Sequence, residues 1–197
     1  MVEVKTYAPP PVKREEIGRY GGMGVDEQTQ ALLDECLSEA LPRLTYRVCW
    51  AVFPLATAAG ALDLGFARTD SAALGRWFKD CDEVAVFAAT VGLEFDRLLA
   101  RYGRLSPAKA LLLDAVGTER VESLCDVFCA DLAAQAAEEG KETTRRFSPG
   151  YGDLPLSLQR DIFRVLDPAR RIGLTLNDSL LMSPSKSVTA LIGLRRR

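Results

Sequence analysis

Histidine is absent from this 197-residue sequence. Its absence removes Ser-His-Asp and Cys-His nucleophile systems, every zinc site that uses an imidazole, and the commonest general base. Chemistry in this chain rests on carboxylates, Arg, Lys, Tyr, Cys or a borrowed cofactor. An excess of either charge is also lacking. The 25 Lys+Arg and 27 Asp+Glu leave a net charge of −2, which argues against a nucleic-acid partner. Long apolar runs are scarce: the stretch Val48–Leu62 is broken by Pro54, Thr57 and Gly60 and falls short of the ~20 residues of a spanning helix. It reads as a buried strand followed by a turn, so no membrane association is expected. Met1–Tyr7 has no apolar signal core, and a cytoplasmic location is the expectation. The five cysteines are odd in number and form no CxxC pair. Only Cys125 and Cys129 are close, at i, i+4 on a predicted helix. They read as thiols on a core face, with a redox or metal pair as the alternative.

What is present is 48% apolar and 26% charged residues, the composition of one ordinary domain over residues 1–197 that buries its core without disulfide or metal staples. Val2–Tyr7 alternates as a strand and ends at Pro9-Pro10-Pro11; Lys13–Tyr20 is a short helix stopped by Gly21-Gly22-Met23-Gly24, which reads as a plain turn. Asp26 caps a helix to about Ala40. Arg43–Phe53 and Val84–Thr90 are predicted strands, and Ser71–Phe78 and Glu94–Tyr102 predicted helices. Ser106 before Pro107 opens a long helix to Glu139, with a bend or break expected near Gly117. The tail adds a helix over Leu156–Leu166, a short strand at Ile172–Leu176 and a terminal strand over Val188–Leu194. This order suits an α+β domain better than a doubly wound one.

Charge is unevenly placed along the chain. Residues 141–197 hold 11 Lys/Arg and 5 Asp/Glu, a net of +6, whereas residues 1–140 hold 14 and 22, a net of −8. Two halves of opposite sign can build a site for a zwitterionic or anionic ligand; the alternative is uneven placement ending in the basic Arg195-Arg196-Arg197. Within the tail, Ser148-Pro149-Gly150-Tyr151-Gly152-Asp153 is a compact turn in which Pro149 fixes φ and the glycines permit close backbone approach. Arg146 and Tyr151 beside it offer a forked cation and an aromatic plate, a pair suited to a small ligand with a carboxylate and a flat ring, although such a segment can equally be a turn alone.

The order Arg-x-x-Pro-Gly-Tyr from Arg146, a helix, Ile-Gly-x-x-Leu from Ile172, then Met-x-Pro-x-x-Ser-Val from Met182 resembles the activation domain of cobalamin-dependent methionine synthase, in its free-standing form. The strongest match covers residues 145–194. Glu15–Tyr20, Ala88–Gly92 and Asp114–Gly117 fit that type more loosely. The resemblance implies a C-shaped α+β domain with a twisted antiparallel sheet and flanking helices, which binds S-adenosylmethionine in a shallow groove facing a corrinoid. It implies a repair function: an electron from a flavodoxin-type donor, then a methyl group from S-adenosylmethionine, restore an oxidised cobalamin carried by a partner, a corrinoid methyltransferase such as methionine synthase. Arg146 matches the family arginine that contacts S-adenosylmethionine. Pro149 and Gly150 would present backbone to the ligand, and Tyr151 would line its methyl or adenine side. Glu122 matches an upstream acidic ligand contact, with Asp126 as the alternative.

Two departures qualify the expectation. The family continues past its Ser-Val strand with a Tyr-rich strand that helps to hold the adenine, and this sequence ends at Arg197, so that part of the pocket is expected to be missing or supplied otherwise. Lys186 stands where the fused enzymes have an uncharged residue; it could meet a corrinoid phosphate or an acidic partner, or be a solvated loop lysine. The chain has no Asp-x-His-x-x-Gly signature, so the corrinoid is expected on another protein. Two other readings remain: a corrinoid-protein docking module that no longer binds S-adenosylmethionine, and an ordinary methyltransferase. The latter usually needs a Gly-rich loop after the first strand of a parallel sheet, an arrangement this sequence does not display.

Overall fold

The computed structural model describes residues 1–22, 26–58 and 60–196. Met23 and Gly24 of the glycine cluster, Ala59 of the apolar run and Arg197 of the basic tail lie outside the described residues. The chain runs through β1 (Glu3–Tyr7), α1 (Arg14–Gly21), α2 (Glu27–Ala40), a 3-10 turn (Leu41–Arg43), β2 (Tyr46–Pro54), β3 (Ala56–Ala58), β4 (Ala61–Asp63), β5 (Arg68–Thr69), α3 (Ala72–Trp77) and β6 (Glu83–Thr90). It continues with α4 (Leu93–Leu105), α5 (Pro107–Glu138), β7 (Lys141–Thr143), α6 (Leu158–Leu166), α7 (Pro168–Ile172), β8 (Thr175–Leu176), β9 (Met182–Ser183) and β10 (Ser187–Arg196).

The α+β expectation is met by a main sheet of order β1-β2-β6-β10-β7 whose neighbours are all antiparallel. A small β3-β4-β5 sheet and the β8-β9 pair flank it, antiparallel as well. The parallel sheet of an ordinary methyltransferase is therefore not the architecture of the described residues.

The middle of β6, Val84–Ala89, is apolar because both faces of the sheet are covered there. In β6, Val84, Val86 and Ala88 pack into one cluster with Leu74, Phe78, Leu158, Ile162 and Leu166. The intervening Ala85, Phe87 and Ala89 face α5 through Leu124, Cys125, Phe128 and Leu132. Strand periodicity alone thus assigns each residue of this run to one of two layers. A third cluster joins α1, α2 and α4 to the first half of α5 through Ile17, Leu33, Leu37, Phe95, Leu112 and Val116. Among the described residues, no helix is long and apolar enough to cross a membrane.

Helix α5 links the helical cluster to the sheet and is uninterrupted across Gly117, where a bend or break was expected. The glycine has another cause. A Cβ there would lie 2.3 Å from Phe95 Cε1, 2.7 Å from Phe95 Cζ and 2.9 Å from Lys186 Cγ, and the Phe95 ring is fully buried. Helix α4 and the Lys186 stem lie directly against the α5 backbone. Gly117→Ala, which would favour an open helix by about 1 kcal/mol, should therefore destabilise this protein by about 1–3 kcal/mol through overpacking. Urea unfolding reads the sign; a stabilised variant would contradict the packing argument.

The tail also differs from expectation near Ile172. Pro168–Ile172 forms α7, capped by the left-handed Gly173, and only Thr175–Leu176 is extended. Pro168 at the first helical position and Gly173 just beyond the last are the usual start and stop signals, which outweigh a short apolar run.

Candidate functional site

The segment after β7 carries the motif residues along the rim of β10. Phe147 and Leu191 exchange both backbone hydrogen bonds, at 2.8 and 2.9 Å, while the Thr144 amide donates to the Gly193 carbonyl at 2.9 Å. Phe147 packs against the sheet face that covers α6. Arg146 reaches the other way, to Glu122 on α5. The chain then folds into a turn closed by Gly150 N–H to Leu154 C=O (2.9 Å) and Leu154 N–H to Tyr151 C=O (3.0 Å). Gly150 and Gly152 sit at φ +92° and +56°, and a Cβ on Gly152 would lie 3.1 Å from that of Ala73. Glycine is what lets this turn approach α3.

A cleft of about 360 Å³ opens at this place, lined by Trp77, Glu122, Arg146, Phe147, Ser148, Tyr151 and Val188. Its volume falls within the range of small-molecule sites, ~300–1,000 Å³. Aromatic rings make its walls. Trp77 and Phe147 stand 5.7 Å apart between centroids and tilted by 58°, and Tyr151 is largely exposed. A second, polar groove of about 320 Å³ shares Glu122 and Arg146 and adds Lys13, Glu16, Arg19, Tyr20, Glu119, Ser123 and Asp126. The Glu122–Arg146 pair therefore lies between an aromatic and a charged compartment.

Arg146 is only partly satisfied there. Its Nη2 donates to the Glu122 carboxylate and lies 3.8 Å from Asp126 Oδ1, while its Nη1 is buried with no hydrogen-bond partner among the described residues. Burial works against the guanidinium charge, but the surroundings of Cys125 and Glu122 outweigh it and hold the pKa above the ordinary arginine value. The site thus keeps a permanent cation with an unused donor, a group that costs free energy until an acceptor arrives.

The structure brings Arg146, Glu122 and Tyr151 to one cleft and places Asp126 at its polar side. Pro149 and Gly150 form the turn behind Tyr151, and the Gly150 amide is already used by Leu154. Lys186 is engaged: its Nζ donates to Asp114 at 2.8 Å and to Thr118 Oγ1 at 3.0 Å. All five cysteines are free thiols. Burial raises the pKa of each, Cys129 to about 11, and that of Cys125 further. Among the described residues, no group of three or more His, Cys, Asp or Glu is placed to hold a metal ion. The core-face reading of Cys125 and Cys129 fits these surroundings. Alkylation of the native protein near pH 7.5 should consequently be slow and should reach all five thiols only in denaturant; rapid labelling of Cys125 or Cys129 would contradict it.

Sequence reasoning did not find Trp77, Phe147 or Val188 as cleft residues, nor a role for Asp153. Trp77 lies on a six-residue helix far from the motif, and nothing in its own short segment points to the cleft. Asp153 sits in the recognised turn, yet its partners are on α3: Ser71 Oγ and the amides of Ala72 (2.8 Å) and Ala73 (3.1 Å).

No protein-family model matches the chain, and no curated protein matches it. Among solved structures it is similar to the MetH reactivation domain bound to AdoHcy, with a TM-score of 0.72 and 14% sequence identity, over 98% of this chain and 78% of that one. The two share a fold across almost the whole of this chain, and the resemblance expected from the tail motif is borne out at that level.

Proposed function

We propose that this chain binds S-adenosylmethionine in the cleft between Arg146, Glu122, Tyr151 and Trp77, and serves as a reactivation subunit for a corrinoid methyltransferase of the methionine synthase type. The observation that carries this reading is Arg146, its Nη1 unpartnered among the described residues, in a cleft with aromatic walls and in a fold shared with a domain solved with AdoHcy. A methionyl carboxylate supplies the missing acceptor, the adenine supplies the flat ring, and Glu122 or Asp126 offers an acceptor to the amino group. S-adenosylhomocysteine, the demethylated form of the same ligand, presents all three.

The absence of histidine suits this chemistry. In the proposed reaction an electron from a flavodoxin-type donor reduces the partner's corrinoid. As substrate, the reduced corrinoid then takes the sulfonium methyl, and the electron pair of the broken S–C bond stays on sulfur to leave S-adenosylhomocysteine. No proton moves, so no general base is required, and the protein's contribution is position: it holds the sulfonium where the methyl faces outward.

The test combines this protein with a partner corrinoid protein in the cob(II) state, a reductant and S-adenosylmethionine. Methylcobalamin should form only when all four are present. Ligand binding without methyl transfer would remove the reactivation role, and docking on the corrinoid protein without ligand binding would favour the docking-module reading.

A further inference from the structure

The turn that carries Tyr151 is fastened to α3 at two points. At one end, the Trp77 indole N–H donates to the Arg145 carbonyl at 2.8 Å. At the other, Asp153 places Oδ1 on Ser71 Oγ and the Ala73 amide and Oδ2 on the Ala72 amide at 2.8 Å. Ser71 in turn caps Leu74 at 3.0 Å. The first amides of α3, which have no partner inside the helix, are thus met by one local side chain and one from 80 residues away. A helix of six residues does not hold itself, and α3 is kept by these ties and by burial of Leu74. Its last residue, Trp77, is 42% exposed at the cleft.

We propose that Asp153 is a positioning residue for this site: its carboxylate clamps the Ser148–Leu154 turn to α3 and so sets Trp77 opposite Arg146 and Tyr151, as a second aromatic plate for the ring of the bound nucleoside. The inference rests on the functional reading above and deepens it. It makes Trp77 a contact residue and gives Asp153 a role beyond closing a turn. Neighbouring hydrogen bonds hold its carboxyl below the usual range, Ser71 first and then the Ala73 and Ala72 amides, so the clamp is ionised at neutral pH. An ionised carboxylate supplies acceptors on both oxygens, and asparagine only one.

The test is a double-mutant cycle read by S-adenosylhomocysteine titration, with thermal melts confirming that each variant is folded. Asp153→Ala should weaken binding on the order of tenfold, because displacing a wall by a fraction of an ångström loses its contacts. Asp153→Asn should recover part of that loss. In a Trp77→Ala background the Asp153→Ala penalty should shrink, since the clamp acts largely through the ring. The sequence has only two tryptophans, and Trp50 is buried. Emission from Trp77 should therefore become more accessible to iodide in Asp153→Ala, and this change should vanish in Trp77→Phe. If Asp153→Ala does not fold, Ser71→Ala replaces it in the same cycle. Wild-type affinity in Asp153→Ala, or an undiminished penalty without Trp77, would overturn the positioning role and leave the ligand reading standing. No binding by the wild-type chain would overturn both.

Discussion

Replacing Arg146 by alanine should weaken S-adenosylhomocysteine binding by roughly 10- to 100-fold and leave the protein folded. A charge-assisted hydrogen bond contributes about 1.5–3 kcal/mol, which is one to two orders of magnitude in affinity. Stability should change by less than about 1 kcal/mol. The Glu122 side chain is 36% exposed, so solvent replaces the lost ion pair, and the substitution removes the buried Nη1 that now lacks an acceptor. Arg146→Lys should not rescue binding. An ammonium cannot reach Glu122 and a ligand carboxylate with two separate nitrogens of one plane, as the guanidinium does. Titration with melts in parallel separates the outcomes, and a loss of affinity that tracks a loss of folded protein would remove Arg146 from the ligand.

Arg120→Met should be the most destabilising of these changes, at about 3–5 kcal/mol. Arg120 and Glu119 are 0% and 1% exposed. The guanidinium donates to Glu119 at 2.5 and 2.6 Å, to the Pro10 carbonyl at 2.6 Å and to the Pro11 carbonyl at 2.8 Å. Glu119 also accepts from Ser123 Oγ at 2.7 Å and from the Lys13 amide at 3.2 Å. One pair thus fastens the proline segment between β1 and α1 to the point where α5 passes from the helical cluster to the sheet. Without Arg120, Glu119 keeps a buried charge and two proline carbonyls lose their donors. Against a total stability of ~5–15 kcal/mol this is a large fraction. The double variant Glu119→Gln, Arg120→Met should recover part of the loss, because it removes the stranded charge. Urea unfolding measures both; a loss below about 1 kcal/mol in Arg120→Met would contradict the account.

Much of the fold was legible because its signals are local. Ser106 and Pro107 start α5, and Asp26 caps α2 by accepting from the Thr29 amide, as the residue types require. The apolar run of β6 marks a strand covered on both faces. The short strands β3 to β5, β7 and β9 escaped notice because their partners, not their own two or three residues, make them strands. The role of Gly117 was hidden for a related reason: the side chains it admits, Phe95 of α4 and Lys186 just before β10, are distant in sequence.

The site was half legible. Arg146 and Tyr151 could be named from motif order and Glu122, with Asp126 as the alternative, from the resemblance alone, whereas Trp77 and Asp153 make contacts across about 70 to 80 residues. The opposite charges of the two halves also gain a physical meaning. Arg146 meets Glu122, Lys186 meets Asp114 and Lys141 meets Glu83, each a cation of the basic tail paired with an acid from the first 140 residues. Part of the polarity is used in docking the tail onto α5 and β6. Arg146 also keeps a second nitrogen for a ligand.

The central claim is that this nitrogen and the aromatic cleft around it hold an S-adenosyl amino acid. Calorimetric titration of the whole chain with S-adenosylhomocysteine at physiological salt tests it most directly. The account predicts one saturable site per chain with a Kd below about 1 mM, lost in Arg146→Ala. No heat up to millimolar ligand, or an unchanged isotherm in Arg146→Ala, would contradict it.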